Sequence, residues 1–323
     1  MVRPVYGAVL MRALVSIAVS ATLLAACDRS DRPADPTPAS PRDAGTAGTD
    51  ATRDSGTAGT AGLPTDATRD AGTAGPPTDA TRVRQVDGAT MLLVPEGPFL
   101  RGSRPDEGQP DERPQRSITL SAFFIDRTEV TAAQYRKCRD AGACPAPATD
   151  RYCTLTTPGR DQHPINCVAW SHADAYCRWA GVRLPTEAEW EKAARGTDGE
   201  PYPWGPTPAT CVVAVRFDKT RKHACGKFGT WPVGSKPFGK SPYGALDMGG
   251  NVWEWVADWY DANGYATSSD RDPKGPAEGR FRILRGGGWG NDGEGSLRSA
   301  RRFKFSPENQ TPGIGFRCAL SVR

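Results

Sequence analysis

The stretch SPYGALDMGGNVWEWVADWY, residues 241–260, combines a glycine-containing turn with a run of aromatic residues. Asp247 and Glu254 are carboxylates on either side of the sequence GGN. A turn there can direct carboxylates and main-chain carbonyls towards one hard cation such as calcium. The same spacing also suits Glu254 as the buried partner of an arginine. The spacing leaves both interpretations open, since the EF-hand pattern DxDxDG is absent.

Around this stretch the sequence predicts an α+β fold in one irregular, loop-rich domain with little regular secondary structure. Nine tryptophans and 36 glycines are typical of loops held in place by aromatic side chains. We expect a hairpin over Met91 to Ser103, with its turn at Pro95 to Pro98, and one strand over Arg116 to Asp126.

Three helices are predicted by their ends, because each segment starts with a capping-box spacing and stops at a glycine. The capping pairs and closing glycines are Thr131 and Gln134 with Gly142, Ser171 and Asp174 with Gly181, and Thr186 and Glu189 with Gly196. We expect buried faces formed by Ala173, Tyr176, Cys177 and Ala180 on the second helix, and by Trp190, Ala193 and Ala194 on the third.

Residues 1–26 have the pattern of a lipoprotein signal peptide. Arg3 and Arg12 precede a short apolar run that ends in the lipobox-like sequence LAAC. Cys27 is therefore the expected lipid-modified first residue of the mature protein, although an ordinary secretory cleavage also fits the small residues before it. This pattern predicts an exported protein, lipid-anchored to the bacterial cell envelope at the periplasmic face or the cell surface.

Residues 27–82 are expected to form a disordered linker rich in Thr, Ala, Gly and Asp. Two near-identical copies, TDATRDSGTAG at 49–59 and TDATRDAGTAG at 65–75, contain no aromatic residue. Such a chain cannot bury enough apolar surface to fold. As a flexible coil of ~55 residues it spans on the order of 40 Å. Residues 83–323 remain for the folded domain, a length that suits one domain.

Eight cysteines in residues 83–323 predict disulfide bonds, because their number is even, the chain is expected to be exported, and no CxxC pair occurs. Cys211 and Cys225 enclose a short basic loop and are expected to pair with each other.

Several function classes are disfavoured. The net charge of +4 is too small to predict nucleic-acid binding. The sequence GSKPFGKS at 234–241 matches the phosphate-loop pattern, but Pro242 follows it where a helix is required, so no nucleotide is expected. The three histidines lack metal-ligand spacing, and no GxSxG motif is present.

A family resemblance rests on segments that occur in order, among them FFIDRTEVTAAQY, PINCVAWSHADAYCRWAGVRLPTEAEWEKAARG, YPWG, RILRGGGW and GIGFRCA. Together they resemble the formylglycine-generating enzyme, or sulfatase-modifying factor, family over nearly all of residues 86–320. The resemblance implies a compact α+β domain with a C-type-lectin-like core.

The resemblance also implies two structural features. One is a disulfide between Cys177 and Cys318. The other is a calcium site, whose ligands are the side chains of Asp247 and Glu254 and the carbonyls of Gly250 and Val252. A second family calcium site is not carried over, because the segment after YPWG is rebuilt around the expected Cys211–Cys225 bridge.

The family's copper site is disrupted in the stretch RGGGWGNDGEGSLRSARR, residues 285–302. In active members the corresponding motif is followed by two cysteines that hold copper(I). Here these positions fall at about Asn291 and Ser296, and an amide or a hydroxyl cannot replace a thiolate on copper(I). Neither copper nor iron is expected, since the histidines of the iron-dependent branch are also absent.

These observations predict a membrane-tethered, non-catalytic module of this family, which binds a peptide, glycan or protein partner. A groove walled by Trp289, Arg298, Arg301 and Arg302 is the candidate site, although the arginines also suit buried pairing with carboxylates. The alternative function is a formylglycine-generating oxidoreductase that acts on a protein cysteine through an unrecognised site.

Overall fold

The computed structural model describes residues 81–221, 223–290 and 294–322, without the side chains of His223 and Glu294. The expected signal peptide, Cys27, nearly all of the linker and Asn291 lie outside the described residues. The described residues belong to one compact unit with few helices and many loops, which confirms the α+β, loop-rich fold class. None of their helices is long and apolar enough to cross a membrane.

Short strands and helices alternate with long connections. The strands are β1 (Thr81–Val83), β2 (Thr90–Val94), β3 (Gly97–Arg101), β4 (Arg116–Leu120), β5 (Phe123–Asp126), β6 (Trp253–Trp259), β7 (Arg282–Arg285), β8 (Phe303–Phe305), β9 (Ile314–Phe316) and β10 (Ala319–Ser321). The helices are α1 (Ala132–Asp140), α2 (Trp170–Trp179), α3 (Glu187–Arg195) and α4 (Gly264–Thr267). Single 3-10 turns lie at Pro110–Glu112, His223–Gly226, Pro237–Gly239 and Glu294–Leu297.

The strands form three small sheets. The first has the order β1-β2-β5-β10 and is antiparallel throughout. The second is the antiparallel pair β3-β4, and the third has the order β8-β7-β6-β9, in which β6 and β9 are parallel.

Two strand predictions were wrong. Residues 91–103 are not a hairpin, because β2 pairs with β1 and β5 whereas β3 pairs with β4. Pro95 ends β2, since proline cannot donate a ladder hydrogen bond. The predicted strand from Arg116 to Asp126 is two strands in different sheets. The strand is interrupted at Ser121, whose N–H donates to the carboxylate of Asp272 at 2.7 Å instead of to a neighbouring strand.

The helix predictions held for α1 and α3, which begin with complete capping boxes at Thr131 and Thr186. The N-terminus of α2 differs from the prediction. This helix starts at Trp170, and Ala169 precedes it without a side-chain cap. The N–H of Trp170 donates instead to the carbonyl of Pro307 at 2.9 Å, so a tertiary contact replaces the expected local cap at Ser171.

Strand β6 separates two hydrophobic clusters. Trp255 packs with α1, α2 and β9 on one side, whereas Val256 packs with α3 and the first two sheets on the other. Because successive side chains of a strand point to opposite faces, Glu254 lies on the same side as Val256. There its carboxylate accepts a hydrogen bond from the indole of Trp190 on α3 at 2.8 Å.

Helix α3 brings charged side chains into the interior. The carboxylate of Glu191 accepts hydrogen bonds from Arg285 at 2.8 Å, Arg195 at 3.0 Å and the hydroxyl of Tyr265 at 2.5 Å. Burial opposes ionisation of this carboxyl, but Arg285 and Arg195 outweigh burial and lower its pKa to about 2. Glu191 is therefore ionised at neutral pH and neutralises part of the buried arginine charge.

We predict that Glu191→Gln lowers the free energy of unfolding by about 3–5 kcal/mol, because it leaves buried arginines without their carboxylate. Urea unfolding at neutral pH measures this loss. The matched control is Glu189→Gln on the same helix, which keeps the capping acceptor and should cost about 1 kcal/mol or less. Equal losses in the two variants would contradict the structural role given to Glu191.

Candidate functional site

The stretch from Arg285 to Arg302 starts with a turn that requires glycine. Gly286 and Gly287 have φ values of +91° and +77°. A Cβ on Gly287 would lie 2.6 Å from the side chain of Leu297, and one on Gly286 would lie 3.1 Å from the ring of Trp190. Both the left-handed backbone and the close packing exclude larger residues. The glycines therefore fold this loop against the core.

Trp289 lies at the centre of a partly exposed aromatic surface. Its ring centroid is 5.9 Å from that of Tyr152, which in turn stacks on Phe228 at 6.3 Å. The indole N–H of Trp289 donates to the carbonyl of Pro312 at 3.2 Å. Phe228 keeps 59% of its surface exposed, so the end of this aromatic row is open to a ligand.

Trp253 reaches the same segment from another side. Its main-chain N–H donates to the carbonyl of Gly313 at 2.8 Å, and its ring centroid lies 5.3 Å from that of Phe303, with the two rings tilted. The indole of Trp289 and the main chain of Trp253 therefore both bind residues 312–313. We call the surface formed by Tyr152, Phe228 and Trp289 the aromatic surface.

The arginines expected in the groove are paired with buried carboxylates. Arg302 has 2% of its side chain exposed and binds Glu187 at 2.7 Å. Arg298 and Arg301 both pair with the buried carboxylate of Glu112. The groove shared by Trp289 and these three arginines therefore stays a prediction, which these ion pairs do not test. These arginines act as partners of buried carboxylates, the other role that the sequence allowed.

Of the two positions expected to correspond to the family's copper ligands, only Ser296 is described. It is half-buried in the 3-10 turn Glu294–Leu297, directly below Gly287. Asn291 lies outside the described residues.

Every cysteine in the described part of the chain is in a disulfide. Cys177 is joined to Cys318 and Cys211 to Cys225, the two pairs expected from the sequence. The other two bridges are Cys138–Cys144 and Cys153–Cys167.

The two carboxylates of the expected calcium set, Asp247 and Glu254, lie close to each other and to Arg317. Both carboxylate oxygens of Glu254 accept hydrogen bonds from Arg317, each at 2.7 Å. Glu254 is thus the partner of an arginine, one of the two roles that its spacing suggested. Asp247 accepts a hydrogen bond from the N–H of Gly234 at 2.5 Å, and burial raises the pKa of its carboxyl.

A third carboxyl, that of Glu129, lies in the same cluster. Glu129 is 1% exposed, and neither of its oxygens has a hydrogen-bond partner among the described residues. Burial and the negative charges of Asp247 and Glu254 raise its pKa well above the usual value. Three carboxyls therefore surround the single guanidinium of Arg317, and an additional positive charge would fit there.

The three carboxyls favour a cation here by their charge, and not by an arrangement that already matches a metal coordination geometry. No group of three or more His, Cys, Asp or Glu side chains with metal-binding geometry occurs in the parts of the chain that are described. The expected calcium set contains two carboxylates and two main-chain carbonyls, so that absence does not bear on it.

Residues 77–322 match the model of the sulfatase-modifying factor enzyme 1-like domain. The chain belongs to this family. A formylglycine-generating enzyme of Streptomyces coelicolor is 34% identical over 290 residues, which cover 74% of this chain and 91% of the enzyme. The inactive C-alpha-formylglycine-generating enzyme 2 of Mus musculus is 31% identical over 279 residues, covering 72% of this chain and 86% of that protein.

The domain also resembles part of longer proteins. The serine/threonine-protein kinase pkn1 of Chlamydia caviae is 36% identical over 252 residues, which span 72% of this chain but only 38% of the kinase-named protein. Among solved structures, PvdO from Pseudomonas aeruginosa superposes with a TM-score of 0.64 at 29% identity, covering 75% of this chain and 98% of that one.

Sequence reasoning missed two features of the site. Tyr152 and Phe228 come from distant loops, and no periodic pattern marks them as neighbours of Trp289. Glu129 lies two residues before the cap of α1, in the sequence TEVT, where it looks like a surface residue of a helix start. Its complete burial in a segment that begins a helix becomes visible only in three dimensions.

We predict that the chain with Cys27→Ser has no free thiol when it is denatured without reductant, because its remaining cysteines form four disulfides. Titration with a thiol-specific chromogenic reagent measures this directly. Prior reduction provides the control and should release all eight thiols. Detection of a reactive thiol pair before reduction would contradict the pairing and reopen a soft-metal site.

Proposed function

We propose that this protein is a non-catalytic member of the sulfatase-modifying factor family, tethered to the cell envelope, that binds a peptide, glycan or protein partner. The observation that carries the proposal is the state of its cysteines. The eight cysteines of residues 83–323 are in disulfides, and none lies between Cys225 and Cys318, where the family's copper ligands would be. Copper(I) requires soft thiolate ligands, so the family oxidation has no metal-binding residues here.

The existence of an inactive relative supports this proposal. One similar protein of the mouse is named as an inactive formylglycine-generating enzyme. A domain of this family can therefore persist without the oxidase activity of its homologues. A binding role would still require such a domain to keep an ordered surface.

The aromatic surface is the proposed ligand site. Partly exposed indole and phenyl faces provide large contact areas at a low cost in side-chain entropy, which favours binding of a peptide or a sugar ring. The Cys153–Cys167 bridge holds the loop that contains Tyr152, and the carbonyl of Pro312 fixes the indole of Trp289. The surface is therefore preorganised, and binding would order few additional groups.

The proposed tether is the lipid on Cys27 with the linker that follows it. The linker composition suits a flexible chain that holds the domain away from the bilayer. We also propose a structural calcium ion at Asp247, Gly250, Val252 and Glu254. The unpartnered carboxyl of Glu129 supports this site, because a divalent cation would neutralise the excess negative charge beside Arg317.

An activity assay separates binding from catalysis. The Cys27→Ser chain is mixed with a cysteine-containing sulfatase peptide and copper(I) in air, and mass spectrometry follows the peptide. We expect no conversion of the cysteine to formylglycine, whereas the S. coelicolor enzyme serves as the positive control. Conversion would overturn the non-catalytic proposal and support an oxidoreductase with an unrecognised site.

Binding to the aromatic surface is tested on the same peptide and on a panel of oligosaccharides by fluorescence polarisation. We expect Phe228→Ala to weaken binding about tenfold. This corresponds to about 1.4 kcal/mol of binding free energy, roughly the contribution of one aromatic contact. Phe238→Ala is the matched control, because Phe238 is a similarly exposed phenylalanine that lies outside the aromatic surface. Equal affinities of the two variants would place the ligand elsewhere.

For calcium, we predict that millimolar Ca²⁺ raises the melting temperature of the chelator-treated protein and that Mg²⁺ does so less, because the smaller ion requires stricter octahedral geometry. Asp247→Asn should remove most of the calcium-dependent increase. Asp272→Asn, at an exposed carboxylate, should leave the increase unchanged. A melting temperature that does not respond to calcium would refute the site.

A further inference from the structure

Residues 211–240 carry a concentration of positive charge that the proposed function does not use. This segment contains seven lysines and arginines and a single acidic residue, Asp218. The carboxylate of Asp218 is occupied locally, because it accepts hydrogen bonds from Thr220 and from the main-chain N–H of Arg221. The cationic side chains therefore have little opposing charge within the segment.

Three parts of this segment converge on one face. The Cys211–Cys225 disulfide joins the first two, with its Cα atoms 5.7 Å apart. Lys236 in the third part donates to the carbonyl of Cys211 at 2.5 Å. Gly239 packs directly against the carbonyl of Val213, because a Cβ there would lie 1.9 Å from that oxygen. A covalent bond and two close contacts thus hold the three parts together.

The cations of this face are close to one another. The ammonium groups of Lys227 and Lys236 lie 4.4 Å and 4.2 Å from the centroid of the Trp231 ring, so the two lysines share one indole. Burial lowers the pKa of Lys236, and the charges of Arg221 and Lys227 lower it further, as expected for neighbouring cations. Such crowding costs energy in the free protein and is relieved by an anionic partner.

None of the exposed side chains of Lys219, Arg221, Lys227 and Lys240 forms an ion pair with another described residue. This distinguishes them from the arginines of residues 285–302, which are taken up by buried carboxylates. They are free to interact with a partner.

Two large apolar side chains project from the same face. Val212 is 62% exposed and Phe238 is 74% exposed, the highest values among the large hydrophobic residues described. They flank the Lys236–Cys211 contact, so they lie beside the cations rather than apart from them. Exposed apolar side chains surrounded by lysine and arginine are typical of surfaces that rest on a bilayer, where the apolar groups enter the headgroup region.

We propose that this face, formed by Val212, Lys219, Arg221, Lys227, Phe238 and Lys240, docks on an anionic lipid surface. We call it the basic face. The lysines and arginines lie against anionic headgroups, and Val212 and Phe238 insert between them. If the proposed tether on Cys27 is correct, docking of the basic face would fix the orientation of the domain on the membrane. The roughly 50 residues between Cys27 and β1 reach on the order of 40 Å as a coil, enough to allow this contact.

The bilayer is favoured over a protein or glycan partner by the form of the face. Val212 and Phe238 are largely exposed to solvent, which suits insertion into a soft layer. A phosphate-rich surface also satisfies several separate cations at once without requiring a matched arrangement of acceptors. The aromatic surface, by contrast, offers flat rings for a ligand of defined shape.

The experiment uses the full chain with Cys27→Ser, so that no lipid anchor contributes. Its binding is measured by co-sedimentation with vesicles of phosphatidylcholine alone and with vesicles that contain about one third phosphatidylglycerol. We expect binding only to the anionic vesicles, and release at high salt because exposed charges are screened. Absence of binding to anionic vesicles, or equal binding to both compositions, would overturn the proposal.

Two variants locate the contact. Lys219→Glu/Arg221→Glu/Lys227→Glu should weaken vesicle binding at least tenfold, and Val212→Ser/Phe238→Ser should weaken it several-fold at unchanged charge. The matched control Arg139→Glu/Lys274→Glu/Arg280→Glu changes three exposed cations elsewhere by the same total charge and should bind like the parent chain. If the control variant lost vesicle binding to the same extent, the loss would be due to net charge alone. That result would overturn the assignment of binding to this face.

A glycan is the competing occupant. Saturable binding to an acidic polysaccharide, lost in the same triple variant and without binding to anionic vesicles, would assign the basic face to a glycan and refute the lipid proposal. The vesicle assay does not use the lipid anchor or the aromatic surface. Its outcome is therefore independent of whether the proposed tether and ligand site are correct.

Discussion

The ion pair between Glu254 and Arg317 is the interaction on which the arrangement of the sheets depends. Both side chains are fully buried, and burying two charges is favourable only if their remaining hydrogen-bonding groups are satisfied as well. Arg317 accordingly donates to the carbonyls of Asp126 and Leu246, and Glu254 accepts from the indole of Trp190. The pair thus requires β5, β6, β9 and α3 to be in place together, and a displaced element would leave a buried charge unpartnered.

This constraint explains how the two ends of the loop, residues 285–290 and 294–302, are held in place. Glu254 is the cross-strand neighbour of Arg285, and the next residue, Gly286, packs on Trp190. The beginning of the loop is therefore positioned by the same buried groups that hold the sheets. Its arginines add ion pairs to Glu112 and Glu187 from distant parts of the chain. None of these contacts involves a cysteine.

The success of sequence reasoning depended on the range of the interactions. The capping boxes of α1 and α3 were predictable because all their atoms lie within four residues, whereas α2 is capped by Pro307, more than a hundred residues away. The prediction of one strand over Arg116 to Asp126 was wrong for the same reason. The side chain of Asp272, which is distant in sequence, binds the N–H of Ser121 and ends the strand there. In the site, the pattern around Glu254 identified a buried carboxylate but not its arginine. The aromatic surface joins separate loops and left no local signal.

The buried charges form two groups with opposite imbalances, one with more arginines than carboxylates and one with more carboxylates than arginines. Beside α3, arginines outnumber the carboxylates, and main-chain carbonyls accept some of their hydrogen bonds, as those of Ser299 and Ala300 do for Arg285. Around Arg317 the carboxylates are in excess, and the oxygens of Glu129 have no hydrogen-bond partner that meets the usual geometry among the described residues. A carbonyl dipole can solvate an extra guanidinium, but an extra carboxylate without donors requires a proton or a cation. This asymmetry is why the proposed calcium belongs beside Asp247 and Glu129 and not among the charges of α3.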